Sequence, residues 1–201
     1  MSARTLWRVF PWDERASEGD RFSPSFVPPP TGRGRFDLPH DISRVLYLAE
    51  SPEHAVAELL HPWRGRSVDA RHLVRAGRPL AAVEVQVDED RSGTKVADLC
   101  EPDVLVALDV APDRTASRHR TLTQPIARTV WDAGFAGLRW WSRFWGDWHT
   151  TVLFTARLEE GVAERGGGVA RPLSFGTPEP LTPTSPAVAE AARALGIAVE
   201  G

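Results

Sequence analysis

The apolar residues of this chain occur in short runs that are separated by segments rich in Pro and Gly. Apolar runs of this length, bounded by turn residues, are typical of β-strands. Strands are predicted at residues 5–10, 44–49, 79–87, 104–110, 137–141 and 150–156. Residues 23–35 include three consecutive prolines, which have no backbone N–H to donate, and they therefore predict an extended loop.

A helix is predicted directly after the second strand. Ser51, Pro52 and Glu53 provide an N-cap, a proline at the first helical position and an acid in the first turn. The helix should run to about Leu60, with an apolar stripe made of Ala55, Val56, Leu59 and Leu60. At 100° per residue, Glu58 lies about 60° beyond the edge of that stripe. Its carboxylate can therefore sit at the rim of the core.

Two further helices complete the predicted elements. One covers residues 124–133 and ends at Gly134; the other begins at Ser185 and Pro186 and ends at Gly196. Many short strands with few helices favour an α+β domain over a regular βαβ alternation. Residues 1–160 are predicted to form the main domain. Residues 161–201 should form a Gly- and Pro-rich extension that ends in the short helix and packs on that domain.

Composition limits the class of protein. The 201 residues suit one domain, and the net charge of −3 argues against a protein held on nucleic acid by bulk charge. Lys95 is the only lysine, so most cationic groups are arginines, which bind phosphates and carboxylates through two parallel N–H groups. Cys100 is alone, which excludes an intrachain disulfide. No segment has the length of a signal peptide core or a membrane span, so a cytoplasmic location is expected.

Five polar or aromatic residues stand in contexts that favour function. Arg8 lies within the first strand, Arg35 within Gly-Arg-Phe-Asp, and Tyr47, the only tyrosine, within the second strand. Glu58 follows on the helix, and Ser142 comes directly after the segment Gly-Leu-Arg-Trp-Trp. Arginine forks, a carboxylate, a hydroxyl and an aromatic ring are the groups that a nucleotide with a reactive sugar requires.

These segments, in this order, resemble the RES-domain family, which is named for its Arg, Glu and Ser. Known members include NAD-consuming toxins of bacterial toxin–antitoxin pairs. The resemblance extends from about residue 6 to residue 154. One departure is Phe36-Asp37, where many members have Trp-Asn.

RES domains are similar to the catalytic domains of ADP-ribosyltransferases, which bind NAD in a cleft between two small sheets. The resemblance therefore implies a single α+β domain with a split, mixed β-sheet core, and NAD as a substrate to be cleaved at the nicotinamide–ribose bond. It implies that Arg35 and Arg8 hold the pyrophosphate and that Tyr47 packs on the nicotinamide half. Glu58 would stabilise the ribosyl cation, and Ser142 would orient Glu58 or the ribose. The acceptor could be water, phosphate or a protein, and an Xre-type antitoxin is the implied partner.

Each of these residues also has an ordinary structural explanation. Arg35 can be a solvated loop charge, Glu58 a helix-surface acid, Ser142 a turn residue and Tyr47 part of the core. Arg8 can pair with an internal acid. A catalytically silent module that binds NAD without turnover therefore remains an alternative.

A second alternative comes from a cluster of aromatic residues near the last long strand pair. The cluster consists of Trp140, Trp141, Trp145 and Trp148, interleaved with Arg139, Arg143 and His149. Such residues can stack single-stranded bases, which would suit a toxin that acts on RNA. We favour a place in the core or in a pocket wall, because large aromatics dominate core packing. Asp147-Trp148-His149 has no known metal-ligand spacing, and no metal is expected.

Overall fold

The computed structural model describes residues 3–88, 95–142, 147–158 and 172–200. The strands are β1 Ala3–Pro11, β2 Val45–Ala49, β3 Ser67–Val68, β4 Val74–Arg75, β5 Arg78–Asp88, β6 Val96–Asp98, β7 Gly137–Trp141, β8 His149–Phe154, β9 Leu173–Phe175, β10 Glu179–Pro180 and β11 Ala198–Val199. The α-helices are α1 Pro52–Leu60, α2 Pro102–Ala107, α3 Pro112–Ala116, α4 Arg120–Asp132 and α5 Pro186–Leu195. Short 3₁₀ helices cover His61–Trp63 and Ala70–Leu73. Within the described ranges, no helix has both the length and the apolar character that crossing a bilayer requires.

The chain forms two compact units. The first unit comprises Met1–Arg4, Val27–Leu48 and Val87–Ser174. The second comprises Thr5–Phe26, Ala49–Gln86 and Phe175–Gly201. Because both units draw on separate parts of the chain, the order of segments in the sequence does not by itself say which residues share a unit.

The first unit is built on strands β2, β8, β7 and β6, which lie side by side in that order. β7 and β8 are antiparallel, with Leu138 opposite Val152, whereas β6 and β7 are parallel, with Ala97 opposite Leu138. Helix α4 packs against β7 and contributes side chains to the core of this unit. The fully or nearly buried members of that core include Phe36, Leu38, Leu99, Ile126, Val130, Leu138, Trp140, Val152 and Phe154.

The second unit contains β10, β5 and β1 in that order. Trp7 of β1 lies opposite Ala49, the last residue of β2, in an antiparallel pair. Helix α1 packs against the C-terminal helix α5. The buried residues of α5 are all aliphatic: Val188, Ala191, Ala192 and Leu195. After α5 the chain forms β11, which pairs in parallel with β3.

Gly137 is required by a close approach between two strands of the first unit. It faces Leu153 across the β7–β8 pair. A Cβ atom at this position would lie 2.1 Å from the carbonyl oxygen of Val152. Real Cβ atoms do not approach backbone oxygens so closely, so glycine is the residue that allows this pairing. The Gly-Leu-Arg-Trp-Trp segment therefore has a structural reason to begin with glycine.

The predicted α+β class is confirmed, because the first unit holds a sheet with both parallel and antiparallel pairs beside a few helices. The prediction of the C-terminal helix is also confirmed: it spans Pro186–Leu195 and ends at Gly196, which has a φ of 67°. A left-handed residue at this position is the usual end of a helix.

The predicted strand at residues 104–110 is wrong. Residues 102–107 form α2, in which Pro102 takes the first turn and Asp103 provides an acid near the N-terminus. Only Leu105 of this helix is buried, and Val106 is 81% exposed. The apolar run therefore does not mark a buried strand; the helix start signals at its N-terminal side outweighed its β-branched residues.

Helix α4 begins four residues earlier than predicted. It starts at Arg120, so Pro125 lies inside it instead of near its start. A proline at this position has no N–H to donate to the carbonyl one turn earlier. The buried residues of α4 are Thr123, Ile126, Ala127 and Val130, whereas Ala133 is exposed. The helix is held by the apolar contacts of this face.

Candidate functional site

The Gly34–Asp37 segment of the first unit is fastened to Tyr47. The Tyr47 hydroxyl donates to Asp37 Oδ1 at 2.9 Å and accepts from the Phe36 backbone N–H at 3.0 Å. The other carboxylate oxygen of Asp37 accepts from the Gly34 backbone N–H at 2.9 Å. We call this set of bonds the Tyr47–Asp37 latch. It fixes the backbone on both sides of Arg35, so the position of Arg35 depends on Tyr47.

The latch changes the acidity of the tyrosine. Burial, followed by the nearby Asp37 carboxylate, raises the pKa of the Tyr47 hydroxyl above its ordinary value of 10.0. An ionised Tyr47 would have no proton to donate to Asp37, and its negative charge would lie close to the Asp37 carboxylate with little water around it. The folded state therefore favours the neutral phenol.

We expect the folded protein to show no tyrosine ionisation near pH 10. Because Tyr47 is the only tyrosine, the near-ultraviolet absorbance of tyrosinate reports this one group. In the unfolded chain the group ionises at about pH 10. The raised pKa in the fold therefore means that its contribution to the free energy of unfolding is complete below that pH and is lost as the pH rises above it.

A Tyr47→Phe variant is the control, because it removes the absorbance change and should weaken this alkaline loss of stability. The measurement is an absorbance titration with circular dichroism recorded at each pH. Ionisation at about pH 10 in protein that remains folded would contradict the latch.

Arg35 is held by the end of another helix. Its Nε donates to the carbonyl of Ser117 at 3.1 Å, and its Nη2 donates to the carbonyl of Thr115. These carbonyls lie at the C-terminus of α3, where unpaired carbonyl groups carry partial negative charge. The Thr123 hydroxyl of α4 donates to the Arg35 carbonyl. The guanidinium is thus half-buried and oriented by contacts within the first unit.

Ser142 lies directly after β7 and is 7% exposed. Its backbone N–H donates to the carbonyl of Trp148, which fixes the start of the connection to β8. The next residues of this connection, 143–146, lie outside the described residues. Two members of the proposed base-stacking cluster, Arg143 and Trp145, therefore cannot be placed.

Trp140 and Trp141 of the aromatic cluster are packed, as favoured above. Trp140 belongs to the core of the first unit and is 4% exposed. Trp141 is half-buried and meets Trp140 edge to face, with 4.5 Å between ring centroids. Because a stacking surface for bases needs exposed ring faces, Trp140 does not provide one.

Arg139, which also belongs to that cluster, forms an ion pair inside the first unit. Its Nη1 lies 2.7 Å from Asp98 Oδ2, and the two residues face each other across the β6–β7 pair. Burial raises the pKa of Asp98, but the Cys100 N–H and the Arg139 guanidinium outweigh it and hold that pKa below its usual value. Burial and the same carboxylate raise the pKa of the Cys100 thiol to about 12, so the thiol is protonated at neutral pH and is a poor nucleophile.

Arg8, in the second unit, anchors a loop. Its Nη1 donates to the carbonyls of Pro24 and Phe26 at 2.9 and 3.1 Å, and its guanidinium lies 5.1 Å from the Phe10 ring centroid. Burial lowers the pKa of Arg8 to about 10, which leaves the side chain charged at neutral pH. Both carbonyls belong to the loop that begins at residue 23.

Glu58 lies on α1 in the second unit, and its side chain is 37% exposed. The carboxylate is neither buried nor fully solvated, as its position beside the apolar stripe predicted. Its Oε1 lies 3.7 Å from Nε2 of His54, which is one turn earlier and fully buried. The buried face of the helix consists of His54, Ala55, Val56, Ala57 and Leu60, whereas Leu59 is only half-buried.

A cavity of ≈ 630 Å³ lies in the first unit beside the Gly34–Asp37 segment. Its lining combines prolines with cationic and amide side chains: Pro30, Gly32, Asp37, Leu38, Pro39, His40, Arg120, Thr121, Gln124, Pro125 and Arg128. Arg128 forms an ion pair with Asp132, with 2.8 Å between Nε and Oδ2. The Gln124 side-chain amide donates to the carbonyls of Gly32 and Gly34 at 3.1 and 3.0 Å. Those bonds to the loop carbonyls add to the latch in fixing the segment that carries Arg35.

Of the five predicted residues, the first unit brings Arg35 and Tyr47 together through the latch and holds Ser142 at the end of β7. Arg8 and Glu58 belong to the second unit, on β1 and α1. In the part of the chain that the structure describes, no group of three or more His, Cys, Asp or Glu side chains is arranged to hold a metal ion.

Two functional candidates were missed by sequence reasoning. Asp37 completes the latch, yet from the sequence it was only a departure from the family pattern. His54 lies beneath Glu58, and its spacing of four residues on a predicted helix was an available signal. The connection between Asp37 and Tyr47, ten residues apart, had no comparable local signal.

The fold and the order of these segments define a RES-type protein. The model of the RES domain matches residues 5–176, which include all five predicted site residues. The chain therefore belongs to the RES-domain family. No curated protein matches its sequence.

A solved structure with a similar fold is the crystal structure of the M. tuberculosis MbcT–MbcA toxin–antitoxin complex. The similarity has a TM-score of 0.56 and covers 97% of this chain and 90% of that chain, at 16% sequence identity. At this identity the comparison concerns the fold alone.

Proposed function

We propose that this protein is an NAD-consuming RES toxin that cleaves the bond between nicotinamide and ribose. The observation that carries the proposal is the match to the RES domain over residues 5–176, which spans every residue of the proposed machinery. The fold similarity to a chain of a toxin–antitoxin complex supports the toxin role. An antitoxin, of the Xre type that the family implies, is the proposed partner.

The chemistry centres on the ribose carbon that carries nicotinamide. The carbon–nitrogen bond breaks with both electrons passing to the positively charged pyridinium ring, so nicotinamide leaves as a neutral molecule and needs no proton. The ribose becomes an oxocarbenium ion, as in glycoside cleavage. The acceptor then adds through a lone pair and loses its proton. A fixed negative charge beside the ribose lowers the barrier to the first step.

We assign that charge to Glu58. A carboxylate that is 37% exposed is accessible to a substrate. Ser142 is proposed to orient Glu58 or a ribose hydroxyl. Its 7% exposure means that only a small part of the residue would reach the substrate.

Arg35 and Arg8 are proposed to hold the pyrophosphate. A guanidinium has five N–H donors, and the backbone contacts of Arg35 and Arg8 orient the group. Tyr47 is proposed to present its ring to the nicotinamide half. The hydroxyl is engaged in the latch, which leaves the ring as the part of this side chain suited to a flat ligand.

Incubation of the purified protein with NAD tests the proposal. We expect NAD to disappear with release of nicotinamide, and the ribose-bearing product to identify the acceptor: free ADP-ribose for water, ADP-ribose 1″-phosphate for phosphate, or a modified protein. Binding of NAD without turnover would instead indicate a silent binding module. If NAD neither binds nor disappears, the proposed function is wrong.

Expression in a bacterial host without a cognate antitoxin tests the toxin role. We expect cellular NAD to fall before growth stops and before total RNA is degraded, and Ser142→Ala to relieve both effects. Parallel time courses of NAD and RNA integrity provide the measurement. Loss of RNA ahead of NAD would favour the RNA-acting alternative and refute the proposal.

A further inference from the structure

Helix α1 carries a buried imidazole directly beneath Glu58. His54 has no exposed surface, whereas the Glu58 side chain is 37% exposed. The two side chains are four residues apart, which places them one above the other on a helix. The His54 Nε2 and Glu58 Oε1 atoms are 3.7 Å apart.

A histidine is an unusual choice for this position on packing grounds. Its neighbours on the buried face of α1 are aliphatic, and α1 packs against α5, whose buried residues are also aliphatic. A polar ring in such surroundings costs free energy unless its nitrogens meet polar groups, and the Glu58 carboxylate is one such group. The backbone N–H of His54 donates to the Ser51 hydroxyl at 3.2 Å, but any residue except proline can make that cap contact. The side chain therefore needs a reason other than helix formation.

We propose that His54 is a positioning residue for Glu58. The imidazole draws Oε1 of the carboxylate toward the helix, so that the carboxylate keeps one orientation with its other oxygen directed away from the ring. The separation of 3.7 Å is longer than a hydrogen bond between nitrogen and oxygen. Catalytic contacts of this kind commonly tighten when a substrate binds. This inference rests on the proposed function of Glu58 in NAD cleavage.

Two substitutions separate positioning from packing. His54→Leu keeps an apolar side chain of similar size and loses the ring nitrogens, whereas His54→Gln retains an N–H donor at nearly the same distance from the backbone. We expect His54→Leu to lower kcat by about 10–100-fold while KM stays nearly constant, because misplacing a reacting group by about 1 Å can cost 10²-fold. His54→Gln should keep most of the activity.

The effects of His54 and Glu58 should not add. If His54 acts only through Glu58, then His54→Leu introduced into Glu58→Gln should cause no further loss of turnover. A merely structural histidine would lower the activity of both backgrounds by the same factor. Glu53→Gln, in the first turn of the same helix, is the matched control and should leave the activity unchanged.

A spectroscopic measurement tests the contact without relying on turnover. In ¹⁵N-labelled protein, the His54 ring signals are those that disappear in His54→Gln. We expect Glu58→Gln to shift the Nε2 signal of His54 and Glu53→Gln to leave it in place. An unshifted signal in Glu58→Gln would overturn the inference, even if His54→Leu fails to fold.

The outcomes separate this inference from the proposed function. If the wild-type protein does not consume NAD, the proposed function fails, and the positioning of Glu58 is then decided by the ring signal of His54. If the wild-type protein consumes NAD and His54→Leu matches its kcat in folded protein, the inference fails while the proposed function stands. A lowered kcat, rescue by Gln and a shifted ring signal together support it.

Discussion

Glu58→Gln is expected to lower NAD consumption by about 10²–10³-fold, which is the usual effect of removing one preorganised electrostatic group from an active site. The substitution keeps the size of the side chain and removes the negative charge that we propose stabilises the developing ribosyl cation. It should have little effect on folding, because the side chain is 37% exposed. The loss should appear in kcat more than in NAD binding.

The measurement is steady-state NAD consumption together with thermal unfolding of the same preparations. Glu53→Gln is the matched control, since it removes a carboxylate from the first turn of the same helix. Turnover within about threefold of wild type, in protein with unchanged melting, would remove Glu58 from the mechanism.

Gly34→Ala is expected to destabilise the protein by about 2–4 kcal/mol, from overpacking and from the loss of buried hydrogen bonds. A Cβ atom at residue 34 would lie 2.1 Å from Asp37 Oδ1 and 2.3 Å from the Tyr47 hydroxyl. Both atoms belong to the latch and cannot move away without breaking it. Arg35 lies next to this position, so NAD binding should weaken as well.

Chemical unfolding of Gly34→Ala and of Gly176→Ala provides the comparison. At Gly176 a Cβ atom would have its nearest contact at 3.5 Å, an ordinary van der Waals distance, so that variant should keep the free energy of unfolding within about 0.5 kcal/mol. Near-equal stabilities of the two variants would mean that the latch is not closed in solution. In Gly34→Ala, Tyr47 should also ionise closer to its ordinary pKa.

The sequence contained the local signals for several elements of this fold. Ser51 and Pro52 predicted the start of α1, and Ser51 does accept the His54 N–H there. The strand at residues 137–141 and the C-terminal helix were predicted to their observed ends. These signals act between residues within about one turn or one strand, so they are present in the chain before it folds.

The site was only partly predictable for the same reason. The helical period placed Glu58 beside the buried face of α1, and the family resemblance selected Arg35, Tyr47 and Ser142 as candidates. It did not provide the contacts that hold them. The sequence left open whether Arg35 was a solvated loop charge, and its partners, the carbonyls of Thr115 and Ser117, are 80 and 82 residues away.

The sequence by itself thus determined the α+β class, the bounds of its best-capped helices and the family. The tertiary structure alone decided that Tyr47 closes on Asp37, that Arg8 binds loop carbonyls, and that Arg139 pairs with Asp98 across 41 residues. Hydrogen bonds between such distant groups form only after strands and loops have been brought together by the burial of apolar surface. No local pattern encodes them, because their partners become neighbours through the topology of the whole unit.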